Sequence, residues 1–593
     1  MHGESSKCKE RFFCCNLLAL HFQRKEVSGV IGSYQSRLRE VITFNAYRKE
    51  DRDMCKKGLK CMTILLAAGM MVFLSISQSP AFQTVSLGDT GELDVYGFLR
   101  NNYGYFLEDQ DYTLNDDKLA TNRTWLRTNI DWKMSDTVSL FASVQFVYEP
   151  EYDIEEGSVS KPDGKEYSEY DDIDDVLREF YIDWDPSSNH NLRIGRQIVI
   201  WGESLTTQVG DVVNPVNNRF TFAFANWEDT RIPLWMVKGL HYFDNISTSL
   251  EWLFSPNLVG EEYRVNRSGE SAQPAAGEMV SQRFAIHPED RFLPPYAVGN
   301  DDLHAFPPGT IVANPFSRGW LDLSFVPGIP GTGWVPTEIP NVIHEYPDDG
   351  MDDARFGFRT STFLGGYEFG ISYYHTQIYN PVVKRTDETF PSGIPDPNAP
   401  QIIRNYYLVH PDVDYIGAYF NKDINVGLIR AEAIYAPNMS FNTFDPAVFD
   451  AIVERDYIKY MIAWDLSGAL YFDWHKSAPF DISIEHVAEY VPDNDGIQNA
   501  IYGTELKSYK PSIGGRITTN WFYNLIQTDL IVSYGFKGKD GLIMPLIKWT
   551  PAWKNRAFSA ELRYIGLFGD NDYEDLGMFR QKDMVVLTTQ FNF

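Results

Sequence analysis

The residues best placed to act on a solute are charged side chains recurring at even spacing. Arg430 and Glu432, and Glu561 and Arg563, stand two residues apart, while Arg127 and Asp131, and Glu179 and Asp183, stand four apart. Side chains of an extended strand alternate between its faces, so both members of each pair point the same way. Glu251, Glu485 and Asp529 occupy the corresponding parity of their own segments. Charges of both signs fixed along one wet wall create a transverse field that sorts passing ions, which is pore chemistry. The same residues also form salt bridges that stiffen a wall, and the sequence leaves both roles open.

A second group lies in the link 202–231, which carries Glu203, Asp211, Asp229 and Arg231 around Asn214-Pro215 and the aromatics Phe220, Phe222, Phe224 and Trp227. Folded inward, this link would ring a constriction with charge; folded outward, it is an ordinary surface loop. The longest link, 255–353, holds 13 of the 32 prolines and several aromatics, and is expected to form a cap or plug at the outer mouth. The acidic stretch 149–175 reads as a solvated exterior loop, with divalent cations bridging it to lipopolysaccharide as the alternative. Asp493-Asn494-Asp495-Gly496 hints at a calcium loop, but with Gly496 in the sixth position the first and twelfth ligands would be Val491 and Tyr502. No metal site and no cofactor follow. Gly-x-Ser-x-Gly, His-Glu-x-x-His and Walker patterns are absent, so no catalytic residue is assigned and the chain reads as non-enzymatic.

The elements that must carry these residues are strands. In VSLFASVQFVY (138–148), Val138, Leu140, Ala142, Val144, Phe146 and Tyr148 share one parity, and Ser139, Ser143 and Gln145 share the other. ISTSLEWLF (246–254), YNLIQTDLIVSYGF (523–536) and AFSAELRYI (557–565) repeat one greasy and one polar face. His486 is an exception, falling on the apolar parity, which suggests a local bulge or a position near a membrane rim. Short links at 135–136, 186–191, 244–245, 365–366, 421–423, near 475–479, near 521–522 and at 554–556 alternate with long ones at 107–121, 149–175, 202–231, 255–353, 378–411, 437–454, 492–506, 535–541 and 567–582. A sandwich or propeller has no reason for that alternation. It predicts an all-β fold, an antiparallel transmembrane β-barrel of about 18 strands (16–18), with short periplasmic turns and long extracellular loops.

Composition agrees. Aromatics make up 15% and charged residues 22%, so the chain is not a disordered one. A net charge of -29 excludes a nucleic-acid partner. All five cysteines precede residue 62, and a basic stretch at 56–60 leads into the apolar run Met62–Ile76 and then Ser79-Pro80-Ala81. Residues 54–81 therefore read as a secretory signal peptide cleaved after Ala81, residues 1–53 as an over-extended gene start, and 82–593 as the barrel. The protein is expected in the outer membrane of a diderm bacterium.

Several segments carry a family resemblance: LRIGRQIVIWGESL (192–205), DVVNPVN (211–217), DTRIPLWMVK (229–238), GLIRAEAIYAPN (427–438), and the run from KPSIGGRITTNWFYN (510–524) to Phe593. Together they resemble the outer-membrane barrel family catalogued as domain of unknown function 1302. The resemblance implies a porin-like barrel, similar in style to the alginate-export porins, and supplies neither a substrate nor catalytic residues. The closing strand, with Val585, Leu587, Thr589, Phe591 and Phe593 on one parity, resembles the C-terminal signal read by the barrel assembly machinery. The expected partners are that machinery, outer-membrane lipid with lipopolysaccharide, and a small-molecule solute. The functional expectation is a passive channel for small solutes with a cation preference. The alternatives are an uptake or export barrel for an apolar small molecule, and a surface binding protein anchored by a barrel.

Overall fold

In the computed structural model the chain divides into two units, Met1–Ser79 and Pro80–Phe593. The structure describes residues 83–86, 91–108, 119–148, 176–204, 207–216, 227–257, 311–314, 319–322, 342–345, 347, 350–379, 382–389, 402–443, 448, 450, 452–472, 475–494, 498–499, 504–505, 507–552, 557–569, 576, 580 and 582–593. Residues 1–53, the segment 54–81 with Ala81, the acidic stretch 149–175, the aromatics Phe220, Phe222 and Phe224, and most of 255–353 lie outside the described residues.

Eighteen strands form one closed antiparallel ring. In chain order they are β1 (Glu92–Phe106), β2 (Leu119–Lys133), β3 (Val138–Tyr148), β4 (Leu177–Ser187), β5 (His190–Gln197), β6 (Leu234–Phe243), β7 (Thr248–Asn257), β8 (Gly350–Leu364) and β9 (Tyr367–Gln377). They continue as β10 (Asp412–Ile424), β11 (Gly427–Asn442), β12 (Ile452–Phe472), β13 (His475–Tyr490), β14 (Tyr509–Trp521), β15 (Ile526–Gly535), β16 (Asp540–Trp549), β17 (Phe558–Phe568) and β18 (Met584–Asn592). Each pairs with its sequence neighbour, and β18 pairs with β1 to close the ring. Closure leaves no open sheet edge, which a structure in hydrocarbon requires.

The parity of each strand decides its two faces. Phe146, Ile182, Ile194, Trp252, Phe358, Ile371, Ile462, Ile517, Ile547 and Leu562 are exposed on the outside although they are large and apolar. The neighbouring positions point inward and carry Gln145, Asp183, Arg193, Glu251, Arg359, Arg430, Glu485 and Asp529. An apolar exterior around a polar interior is the face assignment of a membrane barrel. β11, β12 and β13 run for 16, 21 and 16 residues, well beyond the ~9–11 that cross a bilayer. That side of the wall therefore rises past the apolar belt.

The short connections gather at one end of the ring. Gly365 and Gly366, both at positive φ (62° and 78°), join β8 to β9, the backbone sense that a two-residue hairpin needs. The β10–β11 turn falls at Asn425–Val426, beyond the expected 421–423, because Asn421, Lys422 and Asp423 remain paired with Arg430, Ile429 and Leu428. Residues 475–479 likewise begin β13 instead of turning. At the opposite end, the expected long link 535–541 is a tight turn over 536–539 between β15 and β16. His486 stands on the outward face within a regular stretch of the ladders to β12 and β14, away from the register shifts beyond Leu466, so no bulge accounts for it. Its ring meets Tyr460 edge-on at 5.8 Å, and the Tyr460 hydroxyl lies 2.9 Å from that of Tyr509.

Two further details bear on the ring. Phe593 exchanges backbone hydrogen bonds with Gly97 (2.9 and 3.0 Å), and the short strand Gln83–Ser86 pairs with Glu92–Val95 just beyond. The two ends of the described barrel thus lie in line along one edge of β1. Away from the ring, Val342–His344 pairs in parallel with Ile402–Val409, which pairs antiparallel with Val382–Thr389. This small sheet joins the link between β7 and β8 to the link between β9 and β10.

Candidate functional site

The described parts of the link from β5 to β6, residues 198–204, 207–216 and 227–233, depart from the wall and pack against inward faces on several sides of the ring. Its first residues are fixed by wall carboxylates. The Ile198 N–H donates to Glu179 Oε1 (3.1 Å) and the Trp201 indole N–H to Glu251 Oε1 (2.5 Å). Asn214 ties the two ends of the link together, accepting from the Val199 N–H (2.7 Å) and donating to the Ile232 carbonyl (2.8 Å). Val199, Trp201 and Val213 bury against Leu234, Met236, Leu253 and Tyr374 of β6, β7 and β9. A Cβ at Gly357 would stand 2.9 Å from the Trp201 ring, so glycine opens the wall for the indole. Fully burying each such side chain contributes roughly 1.5–3 kcal/mol.

On the far wall the anchors change to charge. Glu432 of β11 receives the N–H groups of Glu203 (2.7 Å) and Ser204 (3.2 Å), with the Gly210 backbone as a further donor. The Ser204 hydroxyl donates to Glu485 Oε2 of β13 (3.0 Å), and Arg359 of β8 donates to Glu203 Oε1 (3.0 Å). Arg430 bridges the Glu203 carbonyl to Asp465 and Glu485. Val209 packs on Met461, Ala463 and Val487 of β12 and β13. Gly202 and Gly210 make this turn tight, since a Cβ on the first would meet Asp211 at 2.7 Å and one on the second Glu432 Oε2 at 2.9 Å.

The returning half binds elsewhere. Asp229 lies in a single helical turn, Trp227–Thr230, and accepts from Arg100 of β1 (2.5 Å) and Arg127 of β2 (2.7 Å). Burial alone would raise the Asp229 carboxyl, but Arg100, Arg127 and Arg178 together hold it below the usual carboxylate value. Arg231 donates to Asp211 through Nε (2.7 Å) and Nη2, joining the two halves. β2 and β11 are nine strands apart in either direction around the ring, so these anchors lie on opposite walls. Between 200–211 and β11–β12 is a cavity of about 510 Å³, lined by Glu203, Ser204, Gln208, Asp211, Arg231, Arg430 and Asp465 among others.

The wall residues singled out by spacing all take the inward parity. Arg127 holds Gln145 (2.5 and 2.9 Å) as well as Asp229, and Arg193 grips Asp183 through both oxygens (2.8 and 2.9 Å). Glu561 and Arg563 pair within one strand at 2.7 Å, and Asp529 is held by Arg516 and Thr518. Asp131 faces Asp94 across the ladder. The structure brings Arg127, Glu179, Glu251, Arg430, Glu432 and Glu485 against the inserted link, whereas Glu561, Arg563, Asp529, Asp131 and Asp183 stand apart from it. Sequence reasoning missed Arg100, Arg359 and Asp465. The alternation in ARFGFRTSTF (354–363) would have exposed Arg359; Arg100 and Asp465 lie in strands whose parity is blurred by Asn-rich and Gly-containing stretches.

A family model described as protein of unknown function, DUF1302, matches residues 78–593. The chain belongs to the DUF1302 family. No curated protein matches the sequence. Among solved structures, this DUF1302 barrel is similar to Pseudomonas aeruginosa OccK9, at 8% identity over 84% of this chain and 98% of that one, with a TM-score of 0.40. It is also similar to Acinetobacter baumannii OccAB1, at 8% identity over 84% and 96%, TM-score 0.40, and to Salmonella typhi OmpF, at 10% identity over 86% and 100%, TM-score 0.34. This DUF1302 member is a closed antiparallel ring of 18 strands with large apolar side chains exposed on its outer face.

Proposed function

We propose that this DUF1302 barrel is a passive outer-membrane channel for small solutes of a diderm bacterium, that the link 198–233 narrows its lumen, and that it prefers cations. The observation carrying the reading is the closed ring itself, apolar outside and charged inside, with a segment anchored on opposite walls. Glu203, Asp211, Asp229 and Arg231 act on this reading as constriction charges, and the wall pairs hold the pore in shape. Export by residues 54–81 and recognition of the strand ending at Phe593 by the assembly machinery belong to the same reading.

Cation preference is supported by which charges reach the cavity. The cavity is lined by three carboxylates, Glu203, Asp211 and Asp465, against two guanidiniums, Arg231 and Arg430, with Glu203 paired to Arg359 and Asp465 to Arg430. The lining charge is therefore net negative by one, and carboxylates at a constriction draw cations and repel anions. The test is a planar bilayer recording under a tenfold KCl gradient. A reversal potential of cation sign, reduced in Glu203→Gln, is expected. Anion selectivity would overturn the charge argument, and absence of any conductance would overturn the channel.

A further inference from the structure

We infer that His190 and His241 form a two-imidazole site for a divalent transition metal, Cu(II) above all, at the short-turn rim of the barrel. The two residues face each other across the β5–β6 ladder, on the outward parity. The adjoining pair carries the ladder bond, from the Tyr242 N–H to the Asn189 carbonyl (2.9 Å). His190 and His241 are therefore the non-hydrogen-bonded pair, in which side chains approach most closely. Their ring centroids are 4.2 Å apart.

Each ring is held from its other side. The Ser187 hydroxyl lies 2.8 Å from His190 Nδ1, the outer partner that orients a ligating imidazole and leaves Nε2 for the metal. Phe243 packs edge-on against His241 at 4.2 Å. The buried Nδ1 of His241 has no hydrogen-bond partner. His190 is exposed, so an ion can enter from solvent. No third His, Cys, Asp or Glu completes a set of three among the described residues, which leaves the remaining positions to water. Imidazole suits zinc, nickel and copper, and affinity among divalent ions of this kind peaks at copper.

The placement gives the site a consequence. β5 and β6 are the strands from which the link 198–233 springs at the opposite end, and they have no short turn between them. A metal bound by His190 and His241 would clamp this pair at its base.

The test uses the full chain in detergent micelles, with its thiols alkylated, titrated with Cu(II) and followed by electron paramagnetic resonance. One tightly held ion with coupling to two imidazole nitrogens is expected. His190→Ala and His241→Ala should each weaken it at least tenfold and lose the two-nitrogen signature, while His375→Ala and His486→Ala keep both. Carbethoxylation of the unmutated chain supplies a second readout independent of variant folding, with copper expected to protect His190 and His241 together. A two-nitrogen signal that survives both alanine variants, or no protection of the pair, would overturn the assignment.

Discussion

Replacing Glu432 tests whether the inserted link is held by the wall in the manner the hydrogen bonds indicate. Its carboxylate accepts the N–H groups of Glu203 and Ser204 at 2.7 and 3.2 Å beside the Gly210 donor, and bonds to an ionised acceptor contribute about 1.5–3 kcal/mol each. Glu432→Ala removes them all, and the Glu203 and Ser204 bonds alone amount to a gross loss of roughly 3–6 kcal/mol. Water entering the cavity of about 510 Å³ beside them would recover part of this. A net weakening of about 3 kcal/mol shifts the balance between held and released link by about two orders of magnitude. Glu432→Gln keeps one oxygen acceptor and should fall between. Single-channel recordings should rank wild type, Glu432→Gln and Glu432→Ala in rising conductance and open-channel noise, with protease cleavage within 203–211 rising in the same order. Alanine-variant currents and cleavage identical to wild type, with strand content intact by circular dichroism, would refute the reasoning.

The opposite anchor is expected to respond to acid. The Asp229 carboxyl is held below its ordinary value of 3.8, so its attachment to Arg100 and Arg127 is present at neutral pH and lost only as pH falls through that lowered value. Conductance of the wild type minus that of Asp229→Asn should stay constant from pH 7 to pH 5 and close toward zero only below 3.8; convergence near pH 6 would contradict the pairing. On the outside, Ile547 and Leu562 face each other across strands, 55% and 52% exposed. Ile547→Arg should destabilise the folded barrel, by about 1–4 kcal/mol on the depth scale for a lipid-facing arginine, measured by urea unfolding in lipid vesicles.

Fold class was legible in the sequence because a two-residue period survives whatever the barrel encloses. Strand number followed from the alternation of links; two short turns lay a few residues from their expected places, and the link expected to be long at 535–541 contains Gly535 and Lys537-Gly538-Lys539, a composition shared by long loops and tight turns. The link 202–231 was legible as an unusual connection through its Asn-Pro and paired charges. Its attachment was not, since Glu432 and Glu485 meet Ser204 only through ring closure, at separations of 228 and 281 residues. Parity tells which way a side chain points but not what meets it there. The same limit hid Trp201, whose aromatic character suggests a lipid face yet whose indole ends on Glu251 inside. Cross-strand identity of His190 and His241 also required the register, which no short-range signal fixes across a link of that length.

The alignment of Phe593 and Gln83–Ser86 along a single rail of β1 has a consequence for how the molecule is made. Arg100 and Gln590, bonded across that junction, are 490 residues apart in sequence. The hoop cannot be fastened until the final strand has been synthesised and carried back to the first, so every earlier stage presents two raw ribbon margins. Such margins recruit other chains as readily as their own partner. Shortening the polypeptide by its last strand would leave those margins unfastened, and the resulting product should accumulate as aggregate instead of as a smaller pore.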